Sequence, residues 1–301
     1  MHEQFIVAIF LCVAFTALLD AAQRKIAYDR GGKIFVADVD GTHSKKIAGG
    51  AWPEISPDGA RIAFNTDGDA KNRPGPERHI AIADVASGKV TVLPNIPSDN
   101  CFRPVWSRDG NQIAFYIMSE GDWQIGVVKS NGSDFRFLKK AGPNNNSFWS
   151  MCWAPQDHSF FCQDLTNLYQ FAVDGSLIKR WDIGKLTGGG SMSSGTRLDV
   201  SPDGKRLLLS IDMGEESGRK DWDGPLPALW AFDVQSQKAT RLTPKKLFGW
   251  DGVWLDNDNI LFLSRAADEK EDSIYRMSTD GKNLKRLIKK ARFPSVSARN
   301  A

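Results

Sequence analysis

The chain is a succession of short apolar runs set off by polar turns, and the runs come in a fixed order. Pro53-Glu54-Ile55 leads into Ser56-Pro57-Asp58-Gly59, and then come Arg61-Ile62-Ala63-Phe64, Ile80-Ala81-Ile82-Ala83-Asp84-Val85 and Val90-Thr91-Val92-Leu93. Runs this short, rich in Ile, Val and Phe, predict four strands rather than helices. In the turn, Pro fixes φ at the first corner, Asp bonds back to the backbone and Gly takes the position with φ > 0. The first strand therefore folds back on the second.

The same order returns with Pro104-Val105-Trp106-Ser107-Arg108-Asp109-Gly110, with Trp153-Ala154-Pro155-Gln156-Asp157, with Val200-Ser201-Pro202-Asp203-Gly204, and in a worn form with Val253-Trp254-Leu255-Asp256-Asn257-Asp258. An internal period of this kind is the signature of a repeat architecture. Inner runs such as Ile113-Ala114-Phe115 and Leu207-Leu208-Leu209 suit strands covered on both faces, as between neighbouring propeller blades. The fourth strands carry lysines at or just past their ends (Lys45, Lys46, Lys139, Lys140, Lys245, Lys246), which discourage an outer edge from pairing with another chain.

The first copy lacks its opening strand and begins at Lys25-Ile26-Ala27-Tyr28, while Arg292-Phe293-Pro294-Ser295-Val296-Ser297 near the end matches Trp52-Pro53-Glu54-Ile55-Ser56. The C-terminal segment therefore supplies the missing strand. The fold class expected is all-β: a six-bladed β-propeller of four-stranded antiparallel blades, one domain over residues 23–301.

Composition changes the picture at the N-terminus. The apolar run Phe5 to Leu19, followed by small residues, reads as a signal peptide over residues 1–22, with an uncleaved anchor as the alternative. This predicts a periplasmic or secreted protein whose mature chain spans no membrane. Losing Glu3 and Asp20 with the leader raises the formal net charge from +3 to +5. The basic residues follow outer strands and form no single stripe, so nucleic acid is not an expected partner. Three cysteines remain, Cys101, Cys152 and Cys162, an odd set that predicts buried thiols rather than a disulfide framework.

The Ser-Pro-Asp-Gly turn, the Ile-Ala-Phe strand and the Ile-Phe-Val-Ala-Asp strand together resemble the TolB-type propeller repeat, a PD40-type, WD40-like unit, over residues 25–298. The resemblance implies a six-bladed propeller. TolB proteins pair theirs with an N-terminal α/β domain and bind the lipoprotein Pal through the propeller. Here the first blade follows the leader at once, so that extra domain is expected to be lacking, and the role of TolB itself does not carry over.

Little in the sequence points to catalysis. His43, His79 and His158 fall on different blades, which argues against a metal or Ser-His-Asp site. Asn65, Asp67 and Asp69 make only a fragment of a calcium loop, and Gly188-Gly189-Gly190 with Gly195 read as a flexible connection. Asp58, Asp109 and Asp203 close hairpins, with Ser56, Pro57, Gly59, Gly110, Pro202 and Gly204 as their turn partners. Trp52, Trp106, Trp153 and Trp254 read as packing residues of opening strands. The candidate ligand-binding residues are Trp222 in a polar insertion, Trp250 and Asp251 where blade six begins, and Arg197 and Asp199 on the opening strand of blade five.

The reading is a monomeric binding module, with no cofactor or metal, that presents its loop-rich face to an envelope protein, a peptide or a glycan. The alternative is a hydrolase or lyase acting on a polysaccharide or peptide at the channel mouth. An apolar, aromatic-lined patch on the loop face would favour the first, and acidic residues gathered around the channel with a metal the second.

Overall fold

A computed structural model describes residues 24–66, 68, 75–141, 147–216, 225–267 and 269–298. Blade one holds β1 (Lys25–Asp29), β2 (Lys33–Asp38) and β3 (Lys45–Gly49), and blade two β4 (Ala51–Ile55), β5 (Arg61–Asn65), β6 (Ile80–Asp84) and β7 (Val90–Val92). Blade three comprises β8 (Cys101–Trp106), β9 (Gln112–Ser119), β10 (Asp122–Lys129) and β11 (Arg136–Lys139). Blade four comprises β12 (Trp149–Trp153), β13 (Ser159–Gln163), β14 (Asn167–Ala172) and β15 (Leu177–Asp182), followed by a short helix α1 (Ile183–Thr187). Blade five runs through β16 (Asp199–Val200), β17 (Arg206–Glu216), β18 (Pro225–Asp233) and β19 (Lys238–Arg241). Blade six runs through β20 (Trp250–Trp254), β21 (Asn259–Ser264), β22 (Ser273–Ser278) and β23 (Lys285–Ile288), and β24 (Arg292–Val296) ends the chain's strands.

These strands form six four-stranded antiparallel sheets, and β24 pairs with β1 to complete blade one, as the terminal repeat match predicts. The opening strands β24, β4, β8, β12, β16 and β20 each touch the next around a closed ring.

The core lies between blades rather than within them. Ala27, Ile34 and Val36 of blade one pack with Ile55, Ile62 and Phe64 of blade two. Ala63 and Ile80, from the other face of blade two, pack with Trp106, Ile113 and Phe115 of blade three. The same sharing recurs at every junction, ending with Leu261, Leu263 and Ile274 of blade six against Ile26 and Tyr28. This is why the second strands are apolar on both faces, and it makes each blade dependent on its neighbours for burial.

The hairpin turns follow one chemistry. Ser56 Oγ donates to Asp58 and accepts from Arg61 N at 2.9 Å, while Asp58 Oδ1 accepts from Ala60 N at 3.0 Å. Ser107 with Asp109 and Ser201 with Asp203 repeat these bonds, each hydroxyl donating at 2.6 Å. Gly59, Gly110 and Gly204 take φ of 72°, 71° and 73°, while Pro57 and Pro202 hold the corner before the Asp. Burial alone would raise these carboxyls, but the hydroxyl and amide donors hold all three below the usual aspartate range.

One connection departs from the sequence reading, and a second is partly strand. The glycine-rich link after blade four is ordered: Asp182 caps α1, Gly188 ends it in a left-handed conformation, and Ser191 exchanges two 2.9 Å backbone bonds with Asp212. Buried Ile183 and Thr187 tie that helix to the core. The Met213–Pro227 insertion is in part strand, because β17 runs on to Glu216 and β18 starts at Pro225. No helix among the described residues is long and apolar enough to cross a membrane.

Candidate functional site: the channel and its aromatic rim

Five of the six opening strands carry a bulge at the same place. The register slips across Ala51–Glu54, Phe102–Val105, Trp149–Cys152 and Trp250–Val253, and again where β24 meets β1. At each bulge a residue other than glycine sits at positive φ: Trp52 at 49°, Arg103 at 59°, Ser150 at 57°, Asp251 at 48° and Phe293 at 52°. Backbone held there is strained, and bulges of this kind re-aim a side chain. With Arg197, the equivalent residue of blade five, these positions line the loop-face end of the channel. Arg197 lies just ahead of β16 rather than on the strand as expected.

Two ion pairs close that end. Arg103 on blade three reaches Asp251 on blade six at 3.1 Å, their side chains 11% and 4% exposed. Arg197 on blade five pairs with Glu54 on blade two. Each pair therefore spans blades three apart in a ring of six. Arg103 also donates to the carbonyls of Gly195 and Thr196 at 2.9 and 3.0 Å, Arg197 to that of Pro294 at 2.7 Å, and Ser150 Oγ to that of Thr196 at 2.5 Å. The cavity left among them is about 30 Å³, room for a water molecule or two. Burial lowers the Arg197 pKa although Asp199 and Asp251 oppose it, and burial raises that of Asp199 against the pull of Arg197.

Around this plug runs an arc of aromatic rings. Phe293 meets Trp52 at 5.5 Å between ring centres, Trp52 meets Phe102 at 5.4 Å, Phe102 meets Trp123 at 4.8 Å, and Trp123 meets Trp149 at 6.2 Å. All five are half-buried and come from blades one to four. Arg78 lies over Phe102 at 4.9 Å and Arg292 over Phe293 at 4.7 Å. Trp52 is therefore a rim residue and not a packing residue, whereas Trp106, Trp153 and Trp254 are buried as expected. The sequence marked the position only through the match of Trp52-Pro53 to Phe293-Pro294; nothing in it joins Trp52 to Trp123 or Trp149.

The remaining candidate residues separate. Asp251, Arg197 and Asp199 line the channel together. Trp250 points elsewhere, stacked on Phe248 at 5.5 Å and 12°. Trp222 and the acidic residues Asp67 and Asp69 lie outside the described residues. His43 pairs with Asp38 at 2.6 Å, His79 with Glu77 at 3.1 Å, and His158 ends a 3-10 turn in blade four. Among the described residues, no three His, Cys, Asp or Glu side chains gather as a metal ion would require. Cys152 faces Phe161 and Cys162 faces Tyr169, so the two cysteines are not partners across their hairpin. Cys101, Cys152 and Cys162 are buried thiols, and burial pushes Cys101 up to about 12 and the other two well above the usual thiol range.

The fold is that of known propellers. TolB from Acinetobacter baumannii superposes with a TM-score of 0.67 at 19% identity, covering 93% of this chain and 67% of that one. A chain of the nidogen/laminin complex gives 0.65 at 11% identity, with 92% and 100% covered. A puromycin-hydrolyzing peptidase from Mycobacterium tuberculosis gives 0.57 at 15% identity, with 87% of this chain and 42% of the peptidase covered. Neither a protein-family model nor a curated protein matches the chain. The fold is thus a six-bladed β-propeller similar to that of TolB, and a similar fold also occurs in a peptidase.

Proposed function

We propose that this propeller is a periplasmic or secreted binding module that presents its loop face to an envelope protein, with the arc Phe293–Trp52–Phe102–Trp123–Trp149 as the contact. The arc carries the reading. Five adjoining, half-buried rings from four blades form a rigid, mostly apolar surface of the type that anchors protein interfaces, with Arg78 and Arg292 among them. Peptide and glycan partners use the same ring chemistry and belong in the same screen. TolB, among the similar folds, lends the protein-partner version its plausibility.

The loop-face mouth of the channel supports binding over hydrolysis or lysis. Arg103, Asp251, Arg197 and Glu54 answer one another's charges, and the space between them admits only water. A catalytic acid or base needs a substrate atom within hydrogen-bond reach, and these groups are spent on the plug.

The test is affinity measurement against a panel of envelope lipoproteins, peptides and cell-wall glycans, comparing the unmodified chain with Trp52→Ala and Phe293→Ala. Removing an anchor ring should weaken binding by about 2 kcal/mol or more while thermal unfolding moves little. Binding that ignores both substitutions would place the interface elsewhere. Sequencing the N-terminus of protein recovered from the periplasm or medium tests the leader: a chain starting near Gln23 supports cleavage, and an intact Met1 the anchor.

A further inference from the structure

The opposite end of the channel is open. On the face of the Ser-Pro-Asp-Gly turns, a cavity of about 440 Å³ reaches up to the plug, a size that suits a small molecule. Its collar is apolar and drawn from all six blades: Ile55, Trp106, Trp153, Val200, Trp254 and Val296, the same repeat position each time. Four charged residues line it besides. Two are committed: Glu54 is held by Arg197, and Arg24 donates to the carbonyls of Leu255 and Ser297.

The other two keep capacity. Arg108 crosses from blade three to the blade-five turn, where Nη2 donates to the carbonyls of Val200 and Ser201 at 3.0 and 3.2 Å. Its Nε and Nη1 meet no acceptor among the described residues, and Arg108 is exposed at the cavity mouth. Asp199 Oδ2 accepts from Trp254 N at 2.7 Å and the carboxylate also accepts from the Val200 amide, but no side chain among the described residues donates to it. No ion pair joins Arg108 to Asp199, although both line the same cavity. A purely anionic ligand would leave the carboxylate unanswered, and a purely cationic one the guanidinium.

We propose that this cavity binds a small zwitterion, a free amino acid or dipeptide. Its carboxylate pairs with Arg108 at the mouth, its ammonium pairs with Asp199 deeper in, and its apolar body lies against the collar. The site is on the face opposite the aromatic arc and does not depend on what the arc binds.

Titration calorimetry of the full chain with Gly-Leu, N-acetyl-Gly-Leu and Gly-Leu-amide tests this. Gly-Leu should bind, and blocking either end should weaken it by about ten-fold or more, the worth of one charge-assisted contact. Asp199→Asn, whose amide oxygen can still accept from Trp254 N, should abolish discrimination against the acetylated peptide while keeping that against the amide. Arg108→Met should do the reverse. Absence of binding by Gly-Leu and by free leucine at millimolar concentration would overturn the proposal. Equal binding of the amide would also overturn it, pointing instead to the N-terminus of a longer peptide. Because the blocked peptides are compared on the unmodified chain, the result stands even if a variant fails to fold.

Discussion

Arg103 and Asp251 meet across the channel from blades three apart, Nη2 to Oδ1 at 3.1 Å, with both side chains almost wholly buried. With at most a water or two within reach, removing one charge leaves the other largely uncompensated. Asp251→Asn should cost about 3–5 kcal/mol in chemical denaturation, and the double variant Arg103→Met with Asp251→Leu should recover much of that loss. A single variant as stable as the parent would mean that the pair does not hold the blades together.

The turn aspartates and Asp199 predict opposite pH behaviour. Asp58, Asp109 and Asp203 lie below the ordinary aspartate range, so their stabilisation is complete above the unfolded pKa, about 3.9, and is lost as pH falls through their folded values. Replacing all three with Asn should flatten the acid limb of stability against pH.

Asp199 is raised chiefly by burial, so its folded form holds a proton longer than its unfolded form. Between those two values stability falls as pH rises, and Asp199→Asn should remove that fall. Denaturant midpoints from pH 3 upward, within about half a pH unit per step, distinguish the two limbs.

Gly50, which joins blade one to blade two, has φ of 145°, and a Cβ there would meet the Asn65 carbonyl oxygen at 2.4 Å and the Phe64 ring at 2.5 Å. Backbone and a core ring cannot both yield. Gly50→Ala should therefore destabilise by upwards of about 2 kcal/mol, whereas Gly31→Ala, also at positive φ but with nothing within 4 Å, should show only the smaller conformational cost.

Deleting residues 292–301 should break the ring. The truncation leaves the β1 edge without its partner β24 and uncovers Ile26 and Tyr28. The expected outcome is loss of a single cooperative thermal transition together with concentration-dependent association, seen by calorimetry and light scattering. An intact sharp transition would show that five complete blades suffice.

Much was legible in the sequence because the propeller repeats local chemistry. Ser-Pro-Asp-Gly specifies its own hairpin through short-range bonds, and apolar runs such as Ile62-Ala63-Phe64 announce burial on both faces. The match of Arg292–Ser297 to the opening strands announced closure, since equivalent residues must occupy equivalent places in a ring. What lay across the channel was not legible. Arg103 and Asp251 are 148 residues apart, and only the curvature of six blades brings them together. The bulges that turn Trp52, Arg103 and Phe293 toward the mouth arise from how each opening strand meets its neighbour, which no residue type dictates by itself. Local interactions therefore made the blade readable from its sequence. The plug, the aromatic arc and the cavity beneath depend on contacts between blades, and only the closed tertiary structure decides those.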